Sequence, residues 1–414
     1  MITLIGMEYQ MSKVKLGFIG LGQRGNGLLS NVLHNFKDVE ITAVCDNYAD
    51  RVEQAAKRIS DERKTTAAKY VSFEDLLKDE NVNTVIISAA WEAHVPVAVA
   101  AMRAGKIVGL EVGGAYSVDD CWELVKAYEQ TKTPFMFLEN CCYGETELLI
   151  TNMVRKGVFG EVVYCHGSYC HDLRYEICGG IKNRHYRLRN YLTRNCDNYP
   201  THQLGPIAKL LNINRGNRML SLVSLSSKSR GLEEYVKGKE EYAFLHDKHF
   251  AQGDVVQTLI RCADGALISL KLDTTLPRAY SREFSVSGTR AVFNEQGNVL
   301  LVDGEFNHEK GMNEFLNTAD KFKDKYLPRI WKDITQEQRD AGHGGMDTFL
   351  LQAFFEAILN ETEMPIDVYD AAAWMSITCL SEASIAAGGR QMEIPDFTRG
   401  KWVLQQPKDV IEFD

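Results

Sequence analysis

The chain has 414 residues, of which 45% are apolar and 25% are charged, values typical of a globular protein large enough for two domains. Its net charge of −9 argues against a nucleic-acid-binding surface and gives no membrane-binding signal. No apolar run approaches the ~20 residues of a spanning helix, and residues 1–12 carry no readable signal peptide. We therefore expect a cytoplasmic protein, although export stays open, in which residues 1–12 are an N-terminal extension.

The ten cysteines are scattered along the chain. Four of them lie near histidines, namely Cys165, Cys170, Cys178 and Cys196, but their spacing fits no zinc pattern. A chain of this size needs no disulfide staples, so we interpret the cysteines as free thiols and predict no metal site.

The first motif is Gly20-x-Gly22-x-x-Gly25, between an apolar run at 14–19 and a helical pattern at 26–36. Gly20 allows a tight turn, Gly22 lets a pyrophosphate approach the backbone, and Gly25 lets the helix pack on the sheet. The helix start offers unpaired N–H groups to phosphates. The motif predicts a bound dinucleotide; the alternative is a glycine-rich turn without a ligand.

Asp46 ends the next apolar run, about twenty residues after the last glycine. A carboxylate at this position accepts hydrogen bonds from ribose hydroxyls and repels a 2′-phosphate. The sequence therefore predicts NAD rather than NADP. We expect Gln23 and Arg24, at the helix start, to border the cofactor with Asp46.

Apolar runs and helical patterns continue to alternate up to residue 138. This alternation predicts an α/β Rossmann domain with a doubly wound parallel sheet, over residues 13–142. Glu111 and Asn140 follow two of the predicted strands. Because ligands bind outside the carboxyl ends of such strands, both residues are candidates for cofactor contacts. A purely structural role for Glu111 is the alternative.

Residues 143–400 show a different pattern, with alternating runs at 255–261 and 266–272 joined by an Asp-Gly turn. They predict an α+β domain with an open, mainly antiparallel sheet. The charged segment 310–339 is predicted to be an irregular surface excursion, and the tail 401–414 to pack back. We expect a homo-oligomer, because the exposed face of an open sheet often pairs with a second subunit.

His202 lies at the head of a predicted helix, between two prolines and a glycine that fix the local backbone. An imidazole in this position suits general acid or base catalysis. The alternative is a capping or core histidine.

The chain resembles the glucose–fructose oxidoreductase, inositol dehydrogenase and MocA family over nearly its whole length. It departs from that family at Val112, where members usually carry a catalytic lysine. It departs again at Asn198, which replaces the aspartate of an Asp-x-x-x-His motif, whereas His202 is kept. These departures weaken a simple polyol dehydrogenase interpretation.

With these departures the chain resembles glycoside hydrolase family 109, the NAD-dependent α-N-acetylgalactosaminidase branch of this fold. Six segments carry the resemblance: 138–143, 153–157, 171–174, 199–202, 211–218 and 278–282. The resemblance implies catalytic roles for His202, Tyr143 and Tyr199, and sugar contacts from Tyr280 and Arg187.

This resemblance implies a hydrolase that uses NAD without net redox change. Carbon 3 of the sugar is oxidised, the carbon 2 proton is removed, the group at carbon 1 leaves, water adds and carbon 3 is reduced again. His202 would take the carbon 3 hydroxyl proton and Tyr143 would act near carbon 2. A tyrosine transfers protons as a base only where its surroundings favour phenolate.

Two other functions stay open. An NAD-dependent sugar dehydrogenase with altered catalytic residues is one, and a non-catalytic dinucleotide sensor is the other. The paired carboxylates of conventional glycosidases have no recognisable motif here.

Overall fold

A computed structural model describes residues 13–413; the predicted extension 1–12 and residue 414 lie outside the described residues. The first sheet contains six parallel strands in the order β3-β2-β1-β4-β5-β6. The strands are β1 (Lys15–Ile19), β2 (Glu40–Cys45), β3 (Ala68–Tyr70), β4 (Thr84–Ile87), β5 (Ile107–Glu111) and β6 (Phe135–Leu138). The helices between them are α1 (Gln23–Asn35), α2 (Ala49–Arg63), α3 (Phe73–Lys78), α4 (Trp91–Arg103) and α5 (Val118–Thr131).

Strands β4, β5 and β6 are buried at every residue, as expected for parallel strands covered by helices on both faces. The strand order reverses between β1 and β4. This switch point opens a crevice at the carboxyl edge of the sheet, where the glycine turn after β1 lies. The predicted Rossmann architecture is confirmed.

The second sheet contains eight strands in the order β13-β12-β11-β7-β10-β9-β8-β14. The strands are β7 (Val162–Cys170), β8 (Met219–Ser226), β9 (Val255–Cys262), β10 (Leu267–Asp273), β11 (Ser285–Gly288), β12 (Ala291–Asn294), β13 (Val299–Val302) and β14 (Met392–Glu393). Pairing is antiparallel except between β7 and β10, which run parallel. The prediction of an open, mainly antiparallel sheet is confirmed. The parallel pairing of β7 with β10 was not predicted.

Ten α-helices accompany this sheet in the described chain. They are α6 (Glu145–Arg155), α7 (Arg174–Cys178), α8 (Arg187–Thr193), α9 (Thr201–Leu210), α10 (Gly231–Val236), α11 (Lys323–Tyr326), α12 (Arg329–Lys332), α13 (Gln336–Asp340), α14 (Met346–Leu359) and α15 (Val368–Ala386). Short 3-10 turns lie at Asn140–Tyr143, Glu240–Leu245, Met312–Phe315, Thr318–Phe322, Gly342–Gly345 and Lys401–Val403. The segment predicted to be irregular therefore consists of short helical turns.

The C-terminal helices return to the first sheet. The N–H of Phe137 on β6 donates to Ile366 O (3.0 Å), and the N–H of Ala115 donates to Met375 O (3.2 Å) on α15. The tail packs against the body of the protein as well, because Asp409 pairs with Arg155 at 2.8 Å. These contacts bring α14 and α15 next to the crevice.

The outer face of the second sheet carries exposed apolar side chains. They are Leu225, Leu259, Leu267 and Val292. Within residues 13–413 no helix is both long and apolar enough to cross a membrane. All ten cysteines are free thiols, and nine of them are buried.

The predicted homo-oligomer can be tested on this face. Leu259 on β9 is 44% exposed, so Leu259→Lys should prevent close pairing of two such faces and yield a monomer. The control is Leu404→Lys in the tail, at a residue that is 85% exposed but distant in sequence from the sheet. Light scattering after size exclusion reports the mass. A wild-type mass in the Leu259 variant would contradict the prediction.

Candidate active site

The glycine turn after β1 is too crowded for side chains at two positions. Gly20 has φ +93°, and an added Cβ would lie 2.6 Å from the backbone of Ser88 and Ala89. A Cβ at Gly25 would lie 2.0 Å from Gly20 O and 2.7 Å from Ser88 Oγ. Close packing of α1 on β1 and β4 therefore requires glycine, as the sequence predicted.

The space around Gly22, in contrast, is open. An added Cβ there would meet only Arg51 Nη1, at 3.8 Å, so space remains in front of the backbone. Helix α1 begins at Gln23 without a side-chain cap and without an acidic residue in its first turn. Its N–H groups are thus available to an anion, and the helix dipole favours one. The site fits the pyrophosphate of a dinucleotide.

Asp46 lies at the end of β2 beside this turn. Its carboxylate accepts from the N–H groups of Leu21 (2.7 Å) and Tyr48 (2.9 Å), which fixes its position. Arg51 Nη1 lies 3.5 Å away. The predicted acid therefore occupies the position expected for a ribose-binding residue, and it also holds the turn in place.

Arg24 and Asn140 both contact a residue that the sequence did not reveal, Asp347 at the start of α14, and Arg24 also pairs with Glu111. Arg24 Nη1 lies 2.6 Å from Asp347 Oδ2, and Arg24 Nη2 lies 2.6 Å from Glu111 Oε1. Asn140 Nδ2 donates to Asp347 Oδ1 at 2.8 Å. The half-exposed His343 lies 2.8 Å from Asp347 Oδ2. These contacts tie the glycine turn, β5 and β6 to α14.

Ionisation of this cluster follows from its geometry. Burial disfavours the Asp347 carboxylate, but Arg24 and His343 outweigh that effect and hold its pKa well below the usual range. The pKa of Arg24 is raised despite burial, because Glu111 and Asp347 surround the guanidinium. The cluster is therefore an ion-pair network and not a set of neutral groups.

His202 forms the second half of the site. Its Nδ1 lies 2.7 Å from Oε1 of Glu139, a fully buried residue that directly follows β6. Burial works against ionisation of Glu139, yet the imidazole lowers the pKa of this carboxyl. No described residue hydrogen-bonds the His202 Nε2 atom. A carboxylate that orients one ring nitrogen while the other stays open suits proton transfer.

Aromatic rings surround His202. The ring centroid of Tyr199 lies 4.7 Å from that of His202 and 4.7 Å from that of Tyr169. Trp91 stacks on Tyr199 at 5.5 Å. The Arg187 guanidinium lies over both Trp91 and Tyr199, at 4.9 and 5.0 Å from the ring centroids. The structure thus brings together three of the predicted residues, His202, Tyr199 and Arg187.

Arg187 retains hydrogen-bonding capacity. It is buried, its Nε lies 2.7 Å from Glu176 Oε1, and its Nη1 has no hydrogen-bond partner among the described residues. A buried guanidinium donor without a partner is costly unless a ligand supplies an acceptor. Arg187 is therefore suited to hold a polar substrate group.

Tyr280 lies on the other side of this pocket. Its ring centroid is 5.2 Å from His171 and 6.3 Å from Tyr169, and its hydroxyl accepts from Arg282 at 3.2 Å. Arg282 is itself fixed by Glu147 at 2.6 Å. Tyr280 is 47% exposed, which places it at the rim. A sugar entering the pocket would meet this ring first.

The tyrosines are phenols and not phenolates. Burial raises the pKa of Tyr199, of Tyr169 and of Tyr280, since a phenolate is poorly solvated there. Tyr143 is fully buried in the hydrophobic core, and burial raises its pKa too. Its carbonyl accepts from Trp331, and its hydroxyl has no hydrogen-bond partner among the described residues. The 3-10 turn that ends with Tyr143 packs against α9, the helix that carries His202, whereas the rings in contact with His202 are those of Tyr199 and Tyr169.

Glu139, Cys141 and His202 place one donor atom each within 4.8 Å of one another, as a metal site would. Burial raises the pKa of the Cys141 thiol well above its usual range, so the sulfur is protonated and a poor ligand. The Glu139 oxygen already binds the imidazole. We interpret this group as an imidazole–carboxylate pair.

The sequence analysis assigned no role at the site to Glu139, Tyr169 or Asp347. Glu139 follows a predicted strand next to Asn140, so its strand-end position was an available signal. Tyr169 ends the run 162–169, which predicts a strand but no functional role. Asp347 lies more than 200 residues after Asn140 in the chain, and no local pattern connects them.

Asp197 lies two residues before Tyr199 and is fully buried. Neither carboxyl oxygen has a hydrogen-bond partner in the described part of the chain, and burial raises the pKa of this acid to about 7. The Asp197 carboxyl is therefore neutral below about pH 7 and becomes charged as the pH rises above that value.

We expect Gly25→Ala to lower the free energy of unfolding by about 1–3 kcal/mol, the usual cost of overpacking, and to weaken NAD binding. The matched control is Gly27→Ala in the same helix, where a Cβ would meet nothing within 4 Å. That change should stabilise the protein by about 0.5–1 kcal/mol. Urea unfolding measures the free energy of unfolding, and titration measures the affinity for NAD. If both variants had the same stability and the same affinity, the turn would not be tightly packed.

Asp197 makes stability depend on pH. Its unfolded pKa is about 3.9, so between that value and the folded pKa of about 7 the folded state holds a proton that the unfolded state has released. Stability should therefore fall as the pH rises through this window, by about 1.4 kcal/mol per unit at most. Asp197→Asn should remove this decline, whereas Asp38→Asn, at an exposed site, should keep it. Thermal melts from pH 4 to 8 test it, and a parallel decline in the Asp197 variant would refute it.

Comparisons with known proteins agree with this geometry. Residues 143–404 match the family described as "Glycosyl hydrolase 109, C-terminal domain". Residues 14–138 match "Oxidoreductase family, NAD-binding Rossmann fold". Among similar structures, an NAD binding oxidoreductase from Klebsiella pneumoniae has a TM-score of 0.67 at 17% identity, covering 92% of this chain and 99% of that one. At this identity the likeness shows the fold alone.

Among similar sequences is the alpha-N-acetylgalactosaminidase of Tannerella forsythia, 39% identical over 95% of this chain and 88% of that protein. A glycosyl hydrolase family 109 protein of Solibacter usitatus is 38% identical over 98% of this chain and 93% of that protein. The chain therefore belongs to the glycosyl hydrolase 109 family, and it is an enzyme built on an NAD-binding Rossmann domain.

Proposed function

We propose that this protein is an NAD-dependent glycosidase that cleaves terminal N-acetylhexosamine, with α-linked N-acetylgalactosamine as the preferred sugar. The observation that carries the proposal is the His202–Glu139 pair, which lies in an aromatic pocket beside a dinucleotide crevice. The named activity of the Tannerella forsythia relative supports the choice of sugar.

Bound NAD would supply reversible oxidation and reduction at carbon 3 of the sugar. Gly20, Gly22 and Gln23 would hold its pyrophosphate, and Asp46 its ribose. His202 Nε2 is open and accepts the proton of the carbon 3 hydroxyl. Glu139 orients the imidazole and stabilises it when it is charged. Once carbon 3 is a ketone, loss of the carbon 2 proton expels the group at carbon 1, and water adds in its place.

Tyr199 and Tyr169, as neutral phenols, donate hydrogen bonds to the sugar. Arg187 offers its unpartnered Nη1 to the acetamido oxygen. His171 is our candidate for the carbon 2 proton, because burial and Arg187 lower its pKa and keep the imidazole neutral. Tyr143 has no assigned step in this proposal, because its side chain is completely buried.

A sugar dehydrogenase of the same fold is the alternative. The position of the usual catalytic lysine holds Val112, which is buried. A chromogenic α-N-acetylgalactosaminide should therefore release its aglycone without accumulation of NADH. Steady NADH formation from a free sugar would instead identify a dehydrogenase.

His202→Ala should lower kcat by about 10²–10⁴, the usual contribution of a general base, while NAD stays bound. Glu139→Gln should lower kcat less, because the imidazole is kept but loses its carboxylate. The control is His249→Ala, which replaces a largely exposed histidine paired with Glu233 and should leave turnover unchanged. Aglycone release measures turnover, and NAD retention is measured separately. Full activity of the His202 variant would remove this residue from the mechanism.

A further inference from the structure

The ion-pair cluster of Arg24, Glu111 and Asp347 combines one cation with two carboxylates. The carboxylates are almost completely buried, with side-chain exposures of 4% for Glu111 and 3% for Asp347. Both lie 2.6 Å from the guanidinium, and each carboxylate is also held by an uncharged donor, from Val112 N–H and Asn140 Nδ2 respectively. Arg24, Glu111 and Asp347 together carry a net charge of −1. The half-exposed His343, which contacts Asp347 Oδ2 at 2.8 Å, adds a positive charge only when it is protonated.

This charge lies next to the half of the crevice that faces His202. Asp46 occupies the β2 side of the switch point, so a dinucleotide bound across the glycine turn extends toward β4 and β5. Glu111 ends β5, and the backbone two residues later, at Gly113, lies against the Trp91 ring. Trp91 stacks on Tyr199, a neighbour of His202. The cluster thus lies between the pyrophosphate position and the sugar pocket.

We propose that the Arg24–Glu111–Asp347 cluster favours the oxidised form of the bound cofactor over the reduced form. The nicotinamide ring carries a positive charge in NAD and none in NADH. A net negative charge held in a buried, poorly screened position attracts only the charged ring. Arg24 accordingly acts less as a phosphate ligand than as the counter-ion that keeps two carboxylates in place.

This inference rests on the proposed function and extends it. A glycosidase that begins and ends its cycle with the oxidised cofactor is inactive whenever it rests in the reduced form. A bias toward NAD returns the enzyme to its active state after each turnover. A dehydrogenase that releases NADH would gain less from the same bias.

The test compares dissociation constants of NAD and NADH without any sugar. NADH is titrated by its fluorescence, and NAD by competition with NADH. Asp347→Asn and Glu111→Gln each remove one charge with little change in shape. Each should lower the ratio of the NADH constant to the NAD constant by about threefold to tenfold, the size expected for one partly screened charge.

Arg24→Lys separates charge from positioning. It keeps the net charge but loses the two-pronged contact with the carboxylates. Both constants should rise, while their ratio should stay as in the wild type. Circular dichroism and melting temperature confirm that each variant is folded.

An unchanged ratio in folded Asp347→Asn and Glu111→Gln would overturn the inference, even if both forms of the cofactor bind more weakly. That result would mean that the two carboxylates only position other groups. The ratio is measured without substrate, so this test is independent of the test for glycosidase activity. Either claim can be refuted while the other is supported. Failure to bind either form of the cofactor would overturn both.

Discussion

The hydrogen bond between Glu139 and His202 is the contact on which the site depends. Glu139 directly follows the last strand of the first sheet, and His202 lies in the first turn of α9, which packs against the second sheet. The bond therefore fixes the imidazole that we propose as the proton-transfer group relative to the crevice of the Rossmann sheet. Because Glu139 is fully buried, loss of the imidazole would leave an unpaired charge, so both partners hold each other in place.

The other contacts between the two halves serve the same alignment. Asp347 reaches the glycine turn through Arg24, and α15 lies along the first sheet through its contact with Ala115. In the proposed reaction, a misplacement of about 1 Å between the reacting carbon and the cofactor would cost about 10²-fold in rate. A crevice shared by two domains meets that need only if the domains are tied together. Buried ion pairs and main-chain hydrogen bonds provide that connection here.

Much of the fold could be predicted from local sequence. The glycine motif and the alternating runs fixed the parallel sheet, and the Asp-Gly turn before β10 matches a glycine at φ +97°. His202, Tyr199 and Arg187 were predicted from the family resemblance, and the structure places their side chains close together. The parallel pairing of β7 with β10 and the contact of Asp347 with Asn140 are long-range, so no local period encodes them. For Tyr143, the sequence shows that a tyrosine follows β6 but not which way its ring faces.

The central claim is that the glycosidic bond breaks after removal of the carbon 2 proton, with imidazoles and a transiently oxidised carbon 3. Turnover of an α-N-acetylgalactosaminide in D₂O tests it most directly, with mass spectrometry and NMR of the released sugar. The account predicts deuterium at carbon 2 and the original hydrogen at carbon 3. Release of N-acetylgalactosamine without deuterium at carbon 2 would contradict it.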